Sequence, residues 1–199
     1  LANPIVFTDA VDPIIDTGAF TSTLTGAITG PGDLGKIGRG TLVLAGANSY
    51  TGATAVTEGT LRAGAADTFS PASAHTVAAG ATLDLAGFSQ RLAALNNAGT
   101  VSLIGSAPGT SLTVTGPYVG NNGLLRLGTF LGDSASASDR LVLSGPTAAA
   151  SGRTTVQVVN VGGLGAPTTG NGIELVSARD GATTTAQSTK DAFALQGGH

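Results

Sequence analysis

Apolar and polar positions alternate along this 199-residue chain in short runs. The clearest are Leu42/Leu44, Leu61/Ala63, Leu83/Leu85, Val101/Leu103, Leu112/Val114, Leu125/Leu127, Leu141/Leu143, Val156/Val158, Ile173/Leu175 and Phe193/Leu195, each bounded by Gly, Asn, Pro, Ser or Thr. A period of two puts one face of each run in a core and predicts β-strands; no stretch has the 3.6-residue period of a helix. Weaker runs at Thr54-Ala-Val56 and His75-Thr-Val77 fall between the stronger ones. Two or three strands are therefore predicted for every twenty or so residues.

The same phrase returns at that interval: Gly40-Thr-Leu-Val-Leu44, Gly59-Thr-Leu-Arg-Ala63, Gly80-Ala-Thr-Leu-Asp-Leu85 and Gly99-Thr-Val-Ser-Leu103. A repeat of about twenty residues is the signature of a solenoid, in which each coil pairs its backbone with the coils above and below. The expected fold is an all-β, right-handed parallel β-helix with an atypical C-terminal capping region, because the phrase changes after about residue 104. A β-sandwich is the second choice, but its strands would not repeat one phrase at one spacing. A disordered Gly/Ser/Thr-rich stalk would lack the Leu and Val alternation. The 31 glycines and the pairs Asn96-Asn97 and Asn121-Asn122 mark corners, where positive φ or a self-bonded side chain is expected.

Composition narrows the function. Charged residues make up 11% of the chain and the net charge is −3, with the nine basic residues scattered, so the clustered cations that nucleic acid requires are missing. There is no cysteine, hence neither a disulfide framework nor a thiolate metal site. The start at Leu1 without a charged and apolar leader, and the end at Gln196-Gly-Gly-His199 just after a strand pattern, suggest a piece of a longer precursor.

The stretch from Gly32 to Gly64, with Lys36 ahead of Gly40-Thr-Leu, the corner Asn48-Ser-Tyr-Thr-Gly52 and a second Gly59-Thr-Leu, resembles the autotransporter-associated β-strand repeat. Ser49 stands where that repeat usually has threonine. Further on, Leu131–Leu143 and Thr154–Val176 resemble the pertactin-like C-terminal passenger segment. The resemblance implies a bacterial cell-surface passenger of type V secretion. It would cross the periplasm and outer membrane with the help of its own C-terminal β-barrel, absent from this chain, and the outer-membrane assembly machinery. It also implies two segments continuous in one helix, a stem over 1–122 and an autochaperone over 123–199. The lack of cysteine fits, since a periplasmic disulfide would obstruct threading.

If the C-terminal rungs emerge first, a stable apolar block there would serve as a template for each later rung. The residues expected to form it are Leu141, Leu143, Val156, Val158, Ile173, Leu175, Phe193 and Leu195. The favoured reading is a non-enzymatic monomeric stem with this folding role. The alternative is an adhesin segment that binds host matrix, carbohydrate or neighbouring cells through stacked Thr, Ser and Asn, with exposed Tyr118 as its better aromatic ligand. A polysaccharide-active enzyme is the weakest reading.

Catalytic signals are thin. Asp16-Thr-Gly18 after Ile14-Ile15 matches the aspartic-protease phrase and Ile37-Gly-Arg39 echoes its later motif, but the two are too close in sequence for that fold, and a solvated turn is expected. A glycosidase needs paired carboxylates. Asp84 points outward without an evident acidic partner, Asp133 and Asp139 flank a Ser/Ala loop where turn capping is the ordinary role, and Arg62, Arg91 and Arg126 are isolated unless stacking aligns them. His75 and His199 are read as surface or turn residues rather than metal ligands. No metal, nucleotide or other cofactor is expected.

Overall fold

The computed structural model describes residues 1–9, 12–184 and 192–197; His199 lies outside them. The strands in chain order begin with β1 (Ile5–Val6), β2 (Ile14–Asp16), β3 (Thr21–Leu24), β4 (Ile28–Thr29), β5 (Leu34–Ile37) and β6 (Thr41–Leu44). The middle of the chain forms β7 (Thr54–Val56), β8 (Thr60–Ala63), β9 (Ala74–Val77), β10 (Thr82–Asp84), β11 (Gln90–Leu92), β12 (Ala94–Asn97), β13 (Thr100–Ser102) and β14 (Ser111–Val114). Then come β15 (Tyr118–Thr129), β16 (Arg140–Ser144), β17 (Ala150–Asn160), β18 (Val176–Arg179) and β19 (Phe193–Leu195). Among the described residues there is no helix.

Each strand pairs in parallel with its counterpart one coil away, which makes the chain a parallel β-helix. A first stack runs β2-β5-β7-β9-β12-β15 and a second runs β3-β6-β8-β10-β13-β15. A third stack, β11-β14-β16-β18, lies beyond them, and β1 pairs β4 near the N-terminus. β15 belongs to two stacks because it continues through the corner between them. Its register against β17 shifts between Asn121 and Gly123, and Asn122 there adopts a φ of 59°. The division expected at 122/123 thus falls inside one strand.

The repeat phrase becomes a column of side chains. Leu42, Leu61, Leu83, Val101, Leu125 and Val156 occupy one register row of the second stack, and all are buried. Removing a Leu or Val side chain from water is worth about 1.5–3 kcal/mol, so each coil adds its own increment to the stack. The interior row of the first stack is mixed: Leu34, Thr54, His75, Leu95, Tyr118 and Ala150 follow one another in register. Its polar members find internal partners. The Tyr50 hydroxyl bonds Thr54 Oγ1 at 2.7 Å, Thr54 Oγ1 bonds Ser73 Oγ at 2.8 Å, and the Tyr118 hydroxyl bonds Thr154 Oγ1 at 3.0 Å.

Where the third stack has no strand, buried amides replace the ladder. Asn48 Oδ1 accepts from Ile28 N at 2.7 Å while its Nδ2 donates to the Thr68 carbonyl at 2.6 Å, spanning three coils. Two coils on, Gln90 bridges to the preceding coil alone, accepting from Phe69 N and donating to the carbonyl of Ala65. Backbone groups buried without a strand partner are satisfied by side chains, as their desolvation cost demands.

The repeat glycines divide into two kinds, where the sequence suggested one. Gly59 and Gly80 adopt positive φ, +65° and +83°. Gly40 and Gly99 do not; a Cβ on Gly40 would meet the Phe20 carbonyl oxygen at 2.0 Å and one on Gly99 the Ala78 oxygen at 2.3 Å. At these two, close approach of the neighbouring coil excludes a side chain. A second correction concerns Ile173/Leu175: the strand there begins later, at Val176, which pairs with Leu141.

Candidate functional site

The expected template residues sit in the C-terminal rungs, and the structure separates them. Leu141 and Leu143 on β16 are fully buried and stack between Leu112 and Val114 of β14 and Val176 and Ala178 of β18. Val156 is buried in the leucine column. Val158, Leu175 and Phe193 are half-buried against the core, and Phe193 packs its ring on Tyr118 with centroids 5.5 Å apart. Ile173 is half-buried in a non-strand segment. Leu195 is not a core residue: it pairs with Val156 through the backbone but is 60% exposed, with no further described rung to cover it. Val156, Ile173, Leu175, Phe193 and Leu195 converge, together with Val176, on an open apolar cavity of about 230 Å³.

One residue in this region was missed as a fastener. Asp139 is fully buried, and its carboxylate accepts three backbone N–H bonds, from Gly109 and Thr110 at 2.8 Å on Oδ1 and from Gly128 at 2.8 Å on Oδ2. It ties the loop before β14, the end of β15 and the start of β16 into one knot. Beside it the Thr129 and Ser138 hydroxyls bond at 2.7 Å. Asp133 instead caps its own turn through the N–H of Ala135, so the two acids serve separate backbone groups rather than a shared reaction centre.

The other candidates resolve one by one. Asp16 ends β2 and its Oδ1 accepts from Gly18 N at 2.7 Å, a side-chain-locked turn. Asp84 faces Arg62 at 3.6 Å, so its partner is a cation. Arg62 and Arg126 do fall in one row of the second stack, with Asp84 and Ser102 between them, whereas Arg91 belongs to the third stack. Tyr118, expected to be exposed, is fully buried, and burial pushes its hydroxyl up to about 12 despite the bond to Thr154. Tyr50 is buried in the same way and is also pushed up to about 12 by burial.

His75, expected at the surface or in a turn, is an interior residue. Its ring lies 5.8 Å from that of Phe69, Nδ1 bonds the Ser73 carbonyl at 3.1 Å, and Nε2 has no partner. Burial pulls its pKa down to about 4, so the ring is neutral at physiological pH. Lys36 is also buried, with Nζ donating to the carbonyls of Ile37, Gly38 and Glu58 at 2.9, 2.7 and 3.1 Å. Burial lowers its pKa, with Asp16 and Glu58 opposing that shift. Among the described residues no group of three or more acidic or histidine side chains is placed to hold a metal.

A parallel β-helix with a hydrophobic column, polar outer faces and long C-terminal ladders defines the class: an all-β parallel solenoid. Comparison gives the family. Residues 90–199 match the model described as Autochaperone Domain Type 1, and residues 34–63 match the Passenger-associated-transport-repeat. The chain belongs to the autochaperone-bearing passengers of autotransporters. Similar proteins include YuaQ of Escherichia coli (strain K12), 39% identical over 149 residues, and the adhesin BmaC autotransporter of Brucella suis biovar 1 (strain 1330), 38% identical over 169 residues. Those alignments take in 75% and 81% of this chain but only 11% and 4% of the relatives, so the chain spans a small part of their length. The probable autotransporter YfaL of Escherichia coli (strain K12) is 44% identical over 81 residues, 41% of this chain and 6% of YfaL.

Proposed function

We propose that this chain is a non-catalytic length of passenger stem at the bacterial surface, and that residues 123–199, the later part of the autochaperone match, template its folding during export. The observation that carries this reading is the pairing of β15 with β17, strands of 12 and 11 residues where the other rungs use two to five. A rung built on so continuous a ladder holds together with less help from its neighbours. Both N-terminal stacks end on it, since β12 pairs with the Tyr118 end of β15 and β13 with the Leu124 end. Each coil arriving later finds a preformed edge for its backbone and a preformed column for its leucine. On this reading the partners are the barrel of the same precursor and the outer-membrane assembly machinery. Adhesion enters through a relative named an adhesin, whose whole length this chain does not approach.

The test compares cavity-forming polar changes in the full precursor. Val156→Ser and Leu141→Ser should slow the appearance of protease-resistant passenger at the surface several-fold more than Leu61→Ser. All three remove a buried aliphatic group, so equal slowing would reduce 123–199 to ordinary stem.

A further inference from the structure

The outer side of the second stack is recessed between β8 and β15. Thr60, Thr82 and Thr100 line this groove in one row, with Leu124 continuing it, while Asp84, Ser102 and Arg126 line it from the row two residues along. With Ile104 they bound an open groove of about 580 Å³, larger than the C-terminal apolar cavity. Every member of this set is half-buried or, for Ser102, buried; half-burial is shared by outward residues such as Thr41, Val43 and Thr113, so the groove is distinguished by its recess and its chemistry. The groove is broad and open.

Its chemistry is specific. Hydroxyls recur at the coil spacing of about 4.8 Å, close to the length a pyranose ring occupies along a saccharide chain. Arg126 is anchored by Nε to Gln157 Oε1 at 2.7 Å, so the guanidinium is held in place with its two terminal nitrogens left for a ligand. Asp84 sits two coils from Arg126. Its Oδ2 faces Arg62 at 3.6 Å and its Oδ1 accepts from Ala86 N at 2.9 Å, so its charge is answered within the protein. The net field in the groove comes from Arg126. Leu124 and Ile104 supply the apolar edges that the C–H face of a sugar meets.

We propose that this groove binds an acidic oligosaccharide, with sugar hydroxyls on Thr82, Thr100 and Ser102 and the carboxylate or sulfate on Arg126. No aromatic platform is required, because the row of half-buried hydroxyls and the fixed guanidinium set the orientation. The site is independent of the folding role, as its side chains point away from the core.

The test displays the full-length passenger on cells and measures retention on immobilised neutral, carboxylated and sulfated oligosaccharides. Arg126→Gln and Thr100→Tyr, which remove the cation or fill the groove, are compared with Thr113→Tyr on the third stack. Surface levels are matched by protease-resistant passenger, which separates a binding defect from a folding one. The expected result is retention on acidic glycans that falls at least ten-fold in the first two variants and stays unchanged in the third, with the carboxylated and sulfated arms identifying the acid. Retention of no acidic glycan, equal retention by all variants, or retention on neutral glycans alone would overturn the proposal.

Discussion

Asp139 offers the sharpest test of how these rungs are fastened. Replacing it with Ala deletes the acceptor of three buried N–H groups, those of Gly109, Thr110 and Gly128. A buried donor left without a partner costs about 1–3 kcal/mol. Water entering the space recovers part of that, so the expected loss for Asp139→Ala is about 3–5 kcal/mol rather than the full sum. Asp139→Asn is the informative companion. Its carbonyl oxygen can still accept from Gly109 and Thr110, but its amide then presents a donor to the N–H of Gly128. One bond becomes a clash and two lose their ionic strength, for a loss of about 2 kcal/mol. Urea unfolding followed by circular dichroism gives the total, and amide exchange at Gly109, Thr110 and Gly128 gives its location. Exchange should rise at all three sites in Asp139→Ala and chiefly at Gly128 in Asp139→Asn. Unchanged exchange at Gly128, or an Asn variant within 0.5 kcal/mol of the parent, would refute the argument.

Three further outcomes follow from other positions. The pKa of His75 is about 4 when folded against 6.5 ordinarily, so protons favour the unfolded chain. Its contribution is complete above pH 6.5, declines by about 3 kcal/mol as pH falls to 4 and is flat below that. His75→Leu should remove this part of the acid sensitivity, measured as the difference in unfolding free energy between pH 7.5 and 4.5. Lys36→Met removes the ammonium donor from the Ile37, Gly38 and Glu58 carbonyls, of which Ile37 keeps the Thr17 N–H, and should cost at least about 2 kcal/mol by urea unfolding; a neutral result would mean the corner is already hydrated. Gly80→Ala, at φ +83° in open space, should cost about 1–2 kcal/mol. Gly46→Ala, whose Cβ would fall 2.3 Å from the Gly26 carbonyl oxygen, should cost about 3 kcal/mol or more; the reverse order in melting temperatures would contradict the geometry.

Much of the fold was legible because stacking makes the sequence period and the spatial period the same. Leu42, Leu61, Leu83 and Val101 align in the phrase and align again in the core. What escaped is instructive. The stretches around Asn48 and Thr68 carry no strand signal, and their backbone is satisfied by an amide side chain that no alternation rule reveals. The short strands β1 to β5 were passed over, save for the phrases quoted around them, because several have exposed or half-buried residues where apolar alternation would be read. His75 and Tyr118 were misjudged by residue type although a signal was present: His75 alternates with Val77, which faces the core, and so had to face it too. The groove was partly legible as a possible alignment of arginines; only the register showed that Arg126 and Arg62 share a row and that Arg91 does not.

The polar content of the interior bears on the proposed direction of folding. In the first stack Lys36, Thr54 and His75 occupy core positions, and two of them draw part of their hydrogen bonding from the next coil, Thr54 from Ser73 and Lys36 from the Glu58 carbonyl. A coil of this kind leaves those inter-coil bonds unmade when it forms alone. The C-terminal rungs carry a more aliphatic interior, with Leu125, Leu127, Leu141, Leu143 and Val156, although their buried acid, Asp139, takes one bond from Gly128 and two from Gly109 and Thr110 of the preceding coil. In a one-dimensional stack, a rung of higher intrinsic stability would bias nucleation toward its end, as the proposed templating requires. On the proposed templating reading, growth would run from β15 toward β1, and Ser73 and the Glu58 carbonyl would be in place before Thr54 and Lys36 are buried. The opposite order would leave Thr54 with Tyr50 of its own coil and without Ser73 until the next coil arrives, a difference that favours the proposed direction.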